Sequence, residues 1–212
     1  MSDVPLTKRA VMTLFSDPKC PSSHRVRLVA KEKDIPMDII EVTPDTVPED
    51  LLELNPYGTL PTLIDRELVI SDPQVMIEYL DERYPHPPLM SVDPISKARS
   101  RQLLRQIETQ WYPLVNIITH SDDEKAVKEA RRDLQERLIQ MIPVFDHQEY
   151  FMSPDYSLVD ISLAVLMWRL PFLGIELPKS AKPIIDYSIK VLSREVFPES
   201  LSDEELDMRD VI

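Results

Sequence analysis

The chain has 212 residues, 43% of them hydrophobic, which is enough for one large domain or two smaller ones with a real core and too apolar for disorder. Its 24 Lys and Arg stand against 37 Asp and Glu, a net charge of −13 that repels phosphate backbones, disfavours direct DNA binding and points to protein partners with a basic surface. No apolar run approaches the ~20 residues of a membrane helix, residues 1–10 lack a signal-peptide core, and the single cysteine, Cys20, excludes an internal disulfide, so a cytoplasmic protein is expected.

Residues 10–15 read as a first strand and 16–21 as a turn cluster. Ser22 or Ser23 is placed to cap a helix running through Lys33, with Val26, Val29 and Ala30 on one face. Residues 37–42 form a second strand. Residues 48–54 form a short helix opening on Pro48, where a missing N–H costs little. A turn over 55–64 leads into a third strand, and 67–70 pairs back on it as a hairpin. Ser71-Asp72-Pro73 opens the next helix as cap plus first-turn proline, with Val75/Tyr79 and Met76/Leu80 as i,i+4 apolar pairs.

That helix must stop at Tyr84-Pro85-His86-Pro87-Pro88-Leu89-Met90. Each proline fixes φ, removes a donor and biases its predecessor toward extended geometry. The strip reads as a rigid interdomain linker or as a preordered docking surface that loses little entropy on binding. On the docking reading His86, flanked by prolines, is exposed and Leu89 and Met90 supply apolar contacts.

Everything after Pro94 reads as helical. Leu103, Leu104, Ile107, Trp111, Leu114, Val115 and Ile118 trace a long amphipathic helix, kinked at Pro113. Val127, Ala130, Leu134, Leu138, Met141 and Ile142 trace another. Ser157-Leu158-Val159-Asp160 is a capping signature that opens a core helix through Trp168. Residues 184–197 form a further helix, and the acidic end from Ser200 through Leu206 reads as peripheral.

The two glycines, Gly58 and Gly174, leave no phosphate-cradling loop. The four histidines (His24, His86, His120, His147) are scattered, without an HExxH motif or a Cys/His cluster, so neither a metal nor a cofactor is expected. His24 reads as a packed or surface residue, and Trp111 and Trp168 as core. Cys20 has a mechanism for reactivity: at a helix N-terminus the positive dipole end favours the thiolate, and Arg25 and Arg27 would add to this if they pointed toward it.

The β-α-β-α-β-β-α order followed by a helical half resembles the glutathione S-transferase fold. Leu60-Pro61-Thr62-Leu63 sits where that fold has its cis-proline, and the 157–160 signature is similar to the capping box of its buried sixth helix. The resemblance implies a thioredoxin-like α/β domain over 1–86, a proline-rich linker over 87–94 and an all-α domain over 95–212. Within the fold, residues 8–16, 23–27, 54–56, 60–68, 155–160, 168–171 and above all 78–90 are similar to the stringent starvation protein A family.

That resemblance implies a transcription regulator of starvation and stationary phase. It would be a homodimer, or be paired with a related subunit, and would bind RNA polymerase holoenzyme and its sigma factor through Tyr84, Pro85, His86, Pro87, Pro88, Leu89 and Met90. It would lack transferase activity and keep only a vestigial ligand pocket at Cys20, Leu60, Pro61 and Asp72. Transferases of this fold hold the γ-glutamyl group with an acidic residue followed by Ser or Thr. Here Pro73 follows Asp72 and has neither hydroxyl nor N–H. Two hydrogen bonds to a charged group disappear, each worth ~1.5–3 kcal/mol, a loss of ~100-fold or more in affinity. The alternative is an omega-like, glutathione-dependent thiol transferase using Cys20-Pro21.

Overall fold

The computed structural model describes residues 11–43, 45–145 and 148–210; Ala10, the expected start of the first strand, and His147 lie outside them. Among the described residues the chain divides into two compact units, one of 11–87 with 199–205 and one of 88–198 with 206–210. The break falls between Pro87 and Pro88, inside the strip read as a linker.

The first unit is built on a four-stranded sheet of order β2-β1-β3-β4. β1 (Met12–Ser16) is buried throughout and pairs in parallel with β2 (Met37–Glu41) and antiparallel with β3 (Thr62–Asp65). β4 (Leu68–Ile70) closes the hairpin on β3. A parallel β1–β2 pair needs a crossover, and α1 (Pro21–Glu32) supplies it. Phe15, Val42, Leu51 and Ile64 form a core cluster, with Leu51 carried by α2 (Glu49–Leu54). α3 (Pro73–Arg83) packs on α1, and Asp72 caps it by accepting from the N–H groups of Gln74 and Val75.

Two local expectations are corrected here. The α1 cap is Cys20, because Pro21 takes the first helical position; Ser22 and Ser23 lie within the helix, and Ser23 Oγ instead accepts from the N–H of Asp17 at 3.1 Å. Nor is α1 amphipathic in the expected way: Pro21 through Ala30 are all buried, Ser23, His24, Arg25 and Arg27 among them.

The second unit is helical: α4 (Pro94–Gln106), α5 (Tyr112–His120), α6 (Glu124–Gln140), α7 (Leu158–Arg169) and α8 (Lys182–Leu192), with α9 (Asp203–Asp210) running across the division. The break expected at Pro113 is a π-turn at Ile107–Trp111, ended by the Tyr112 N–H donating to the Ile107 carbonyl. Pro113 has no N–H for the carbonyl four residues back, so the ladder shifts register just ahead of it. α8 ends at Leu192, short of the expected 197.

α7 is apolar all round and buried from Leu158 to Met167. Its expected capping box is formed: Asp160 accepts from the Ser157 N–H and Ser157 Oγ on one oxygen, and from the Phe151 N–H and Tyr187 Oη on the other, all at 2.8–2.9 Å. Burial pushes the Asp160 carboxyl above its ordinary range against those four donors, and pushes the Tyr187 phenol well up. Gly58 (φ 59°) and Gly174 (φ 68°) both occupy left-handed turns, where any other L residue is strained.

Candidate functional site

α3 ends where the Tyr84 N–H donates to the Leu80 carbonyl, and the chain then bends through residues 84–87. Pro85, His86, Pro87 and Pro88 are all exposed, Tyr84 and Met90 are half-buried, and the His86–Pro87 bond is cis. His86 has no hydrogen-bond partner among the described residues.

Two neighbours fasten the start of the strip. Arg83 pairs with Asp65 at 3.0 Å and lies 5.8 Å from the centroid of the Tyr84 ring. Lys33, the residue capping the C-terminus of α1, sends its ammonium beneath the strip. Its Nζ donates to the Tyr84 carbonyl at 2.6 Å and the Pro87 carbonyl at 2.7 Å, and pairs with Asp81 Oδ1 at 2.7 Å.

Leu89 departs from the sequence expectation. It is 3% exposed, belongs to the second unit, and its carbonyl accepts from the Leu158 N–H at the start of α7. A leucine buried in its own subunit anchors the strip and is unavailable to a partner. Met90, half-buried, and the exposed rings of Pro85, Pro87 and Pro88 are the apolar groups of the strip that reach solvent.

At the expected vestigial pocket, Leu60–Pro61 is cis, as the resemblance implies. Asn55 holds the loop before it, with Nδ2 donating to Thr59 Oγ1 and Thr62 Oγ1 at 2.9 Å each. Cys20 is half-buried, and its N–H donates to Asp17 Oδ1 at 3.1 Å. Asp72 is exposed and caps α3 through Oδ1, which accepts from the N–H groups of Gln74 and Val75. Arg25 Nη1 donates to Gln74 Oε1 at 3.4 Å. The condition set for Arg27 is not met: its donors reach Ser16 Oγ, the Asp17 and Ser200 carbonyls and Glu205 Oε2.

That last contact belongs to a cluster the sequence reading missed. The segment expected to be peripheral is built into the first unit, with Ser200, Ser202 and Glu205 buried. Ser202 and Glu205 form a reciprocal capping box: the Ser202 N–H donates to Glu205 Oε2 at 3.1 Å, and the Glu205 N–H donates to Ser202 Oγ at 3.2 Å. The Ser-x-x-Glu spacing was the available signal, hidden within an acidic run.

His24 Nε2 lies 2.9 Å from Ser200 Oγ, and its Nδ1 lies 3.5 Å from Glu205 Oε1. Hydroxyl, imidazole and carboxylate thus stand in the order of a nucleophilic triad. Ser200 is 2% exposed, His24 and Glu205 0%, and the carboxylate is shared with Arg27, so no substrate reaches the hydroxyl and the group acts as a buried cross-link. No group of three or more His, Cys, Asp or Glu among the described residues could hold a metal ion, and no described helix is long and apolar enough to cross a membrane.

The family model for the glutathione S-transferase N-terminal domain matches residues 14–88. A stringent starvation protein A homolog of Coxiella burnetii is 45% identical to this chain over 207 residues, covering 97% of this chain and 99% of that one. FtsZ-localized protein A of Caulobacter vibrioides is 27% identical over 207 residues, covering 90% of this chain and 91% of that one. Among solved structures, glutathione transferase Omega 3C from Trametes versicolor superposes with a TM-score of 0.80 at 23% identity, covering 93% of this chain and 92% of that one. The fold is therefore that of the glutathione S-transferases, a thioredoxin-like unit with a mixed sheet followed by a helical one.

Proposed function

The chain belongs to the stringent starvation protein A family, and from that membership we propose that it is a regulator that docks onto RNA polymerase holoenzyme and its sigma factor under starvation, without glutathione transferase activity. The observation that carries this reading is the strip itself: His86 and its proline neighbours are presented to solvent on a backbone tied down from below by Lys33. A surface already held in one arrangement gives up little conformational entropy on association. That a relative of this fold is named for its localisation with another protein, FtsZ, fits a scaffold used for protein contact.

The inactive-pocket half of the reading rests on Asp72 and Pro73. Asp72 Oδ1 accepts from two backbone N–H groups of α3, and it is Pro73, with neither hydroxyl nor N–H, that withholds the donors a ligand carboxylate would need. We further propose a homodimer, on family resemblance, checked by light scattering in solution. The second reading, thiol transfer by Cys20, draws on a half-exposed thiol at the N-terminus of a helix and on the structural likeness to an omega-class transferase.

Capture of purified polymerase holoenzyme by the immobilised chain, with His86→Ala alongside, tests the first reading. An exposed hot-spot residue is worth about 2 kcal/mol or more, so the variant should bind at least ~30-fold more weakly with an unchanged melting temperature. Wild-type chain that ignores the holoenzyme, or that turns over a glutathione mixed disulfide in a manner abolished by Cys20→Ser, would reverse the ranking.

A further inference from the structure

We propose that Lys33 is the positioning residue of the docking strip: its buried ammonium sets the path of residues 84–87 and thereby the presentation of His86. The inference rests on the docking reading above and adds to it a residue that touches no partner.

A lysine at a helix C-terminus ordinarily leaves its head in water, where it complements the dipole at little cost. Here the side chain is 0% exposed. An ammonium taken out of water is tolerated only when its charge is paired and its donors are used. It has three N–H donors, and three acceptors face it at 2.6–2.7 Å: Asp81 Oδ1 and the Tyr84 and Pro87 carbonyls. Asp81, on the last turn of α3, supplies the opposite charge.

The two carbonyls flank Pro85 and His86, so the exposed segment is a short bridge whose ends are fixed to one buried point. The prolines cannot do this themselves, since a proline has no N–H to donate and Pro85, Pro87 and Pro88 lie exposed. They stiffen each link, and Lys33 sets where the links point.

Stability alone does not require this arrangement. Replacing a buried ion pair by apolar residues of similar volume is often neutral or stabilising. That gives the test its variant: Lys33→Met with Asp81→Met removes the charge pair together, leaving no lone buried carboxylate, and releases both carbonyls.

The double variant should keep the wild-type melting temperature within a few degrees and lose holoenzyme affinity by at least ~30-fold, as His86→Ala does. Added to His86→Ala it should cost nothing further, because both changes remove one contact; a merely structural role would give additive losses. Independently of any partner, the backbone order parameter of the His86 amide should fall from the rigid range near ~0.85 to below about 0.6. Lys33→Arg, which keeps charge and donors, should restore part of both.

An unchanged His86 order parameter in the double variant overturns the inference, as does wild-type affinity for holoenzyme in that variant. Wild-type chain that fails to bind holoenzyme overturns the docking reading instead, and the order parameter then decides the role of Lys33 alone.

Discussion

Replacing Glu205 by methionine leaves the guanidinium of Arg27 buried without its counter-charge. Glu205 is 0% exposed and accepts from Arg27 Nη2 at 2.5 Å and from the Ser202 N–H at 3.1 Å. Breaking a buried pair from one side costs ~3–5 kcal/mol, because the remaining charge stays desolvated. The companion change Arg27→Met also releases Ser16 Oγ and the Ser200 carbonyl, at about 1 kcal/mol per hydrogen bond. Both changes together remove the lone charge, so the double variant should fall short of the summed losses by at least ~2 kcal/mol.

The assay must report on the first unit, and both tryptophans, Trp111 and Trp168, lie in the second. Amide hydrogen exchange of β1 and β3 reads the correct element. At 1.4 kcal/mol per decade, ~3–5 kcal/mol lowers protection by between about 100-fold and a few thousand-fold. Protection within threefold of wild type in Glu205→Met, or additive losses in the pair, would refute the claim that this cross-link ties residues 199–205 to the first unit.

Three further outcomes are expected. Partial desolvation raises the carboxyl of Glu41, an exposed residue, above its ordinary range, with repulsion from Glu204 and, more weakly, Asp203 and Glu205 adding to it against the pull of Arg27. A folded-state value above the unfolded one makes the contribution of this group fullest below the ordinary carboxylate range and lost as pH rises through the raised value. Glu41→Gln should therefore raise the melting temperature at pH 7 and leave it unchanged at pH 3; a stabilisation equal at both would show that charge is not the cause. Pro73→Ser returns the hydroxyl and N–H to the start of α3 and should raise glutathione affinity by ~100-fold in calorimetry, and no gain would mean that the pocket is lost elsewhere. Leu89→Ala should cost ~2–5 kcal/mol in urea unfolding, as a buried leucine does, whereas Met90→Ala should cost under about 1 kcal/mol; equal effects would contradict the division of the strip into anchor and surface.

The elements were legible where local chemistry alone decides them. The β-α-β-α-β-β order followed from short apolar runs punctuated by turn residues, and the end of α3 from the prolines. The Ser157–Asp160 box was readable because both partners lie within one turn. What was not legible depends on contacts between residues far apart in the chain. Glu205 meets Arg27 across 178 positions, so an acidic tail reads as solvated until its buried cation is known. Lys33 looks like any lysine closing a helix, and only the fold places two carbonyls over it. Leu89 reads as exposed because its neighbours are; its burial and its backbone bond to Leu158, 69 positions on, have no signature in the residues around it.

Two of the buried cations of the first unit, Arg27 and Lys33, stand six positions apart on one helical segment and act in the same way on different partners. Arg27 holds a stretch from the far end of the chain, and Lys33 holds the strip after α3. Apolar packing could cover the same area, but it is non-directional and tolerates sliding by a residue or a rotamer. A buried guanidinium or ammonium held by several directed hydrogen bonds resists such a slip, since moving one acceptor leaves a buried N–H unpaired at ~1–3 kcal/mol. For a surface that must meet a partner in one geometry, that intolerance matters more than the net energy of the pair. The placement of Arg27 and Lys33 inside the first unit is thus better explained by the need to hold two outlying segments in register than by any gain in stability.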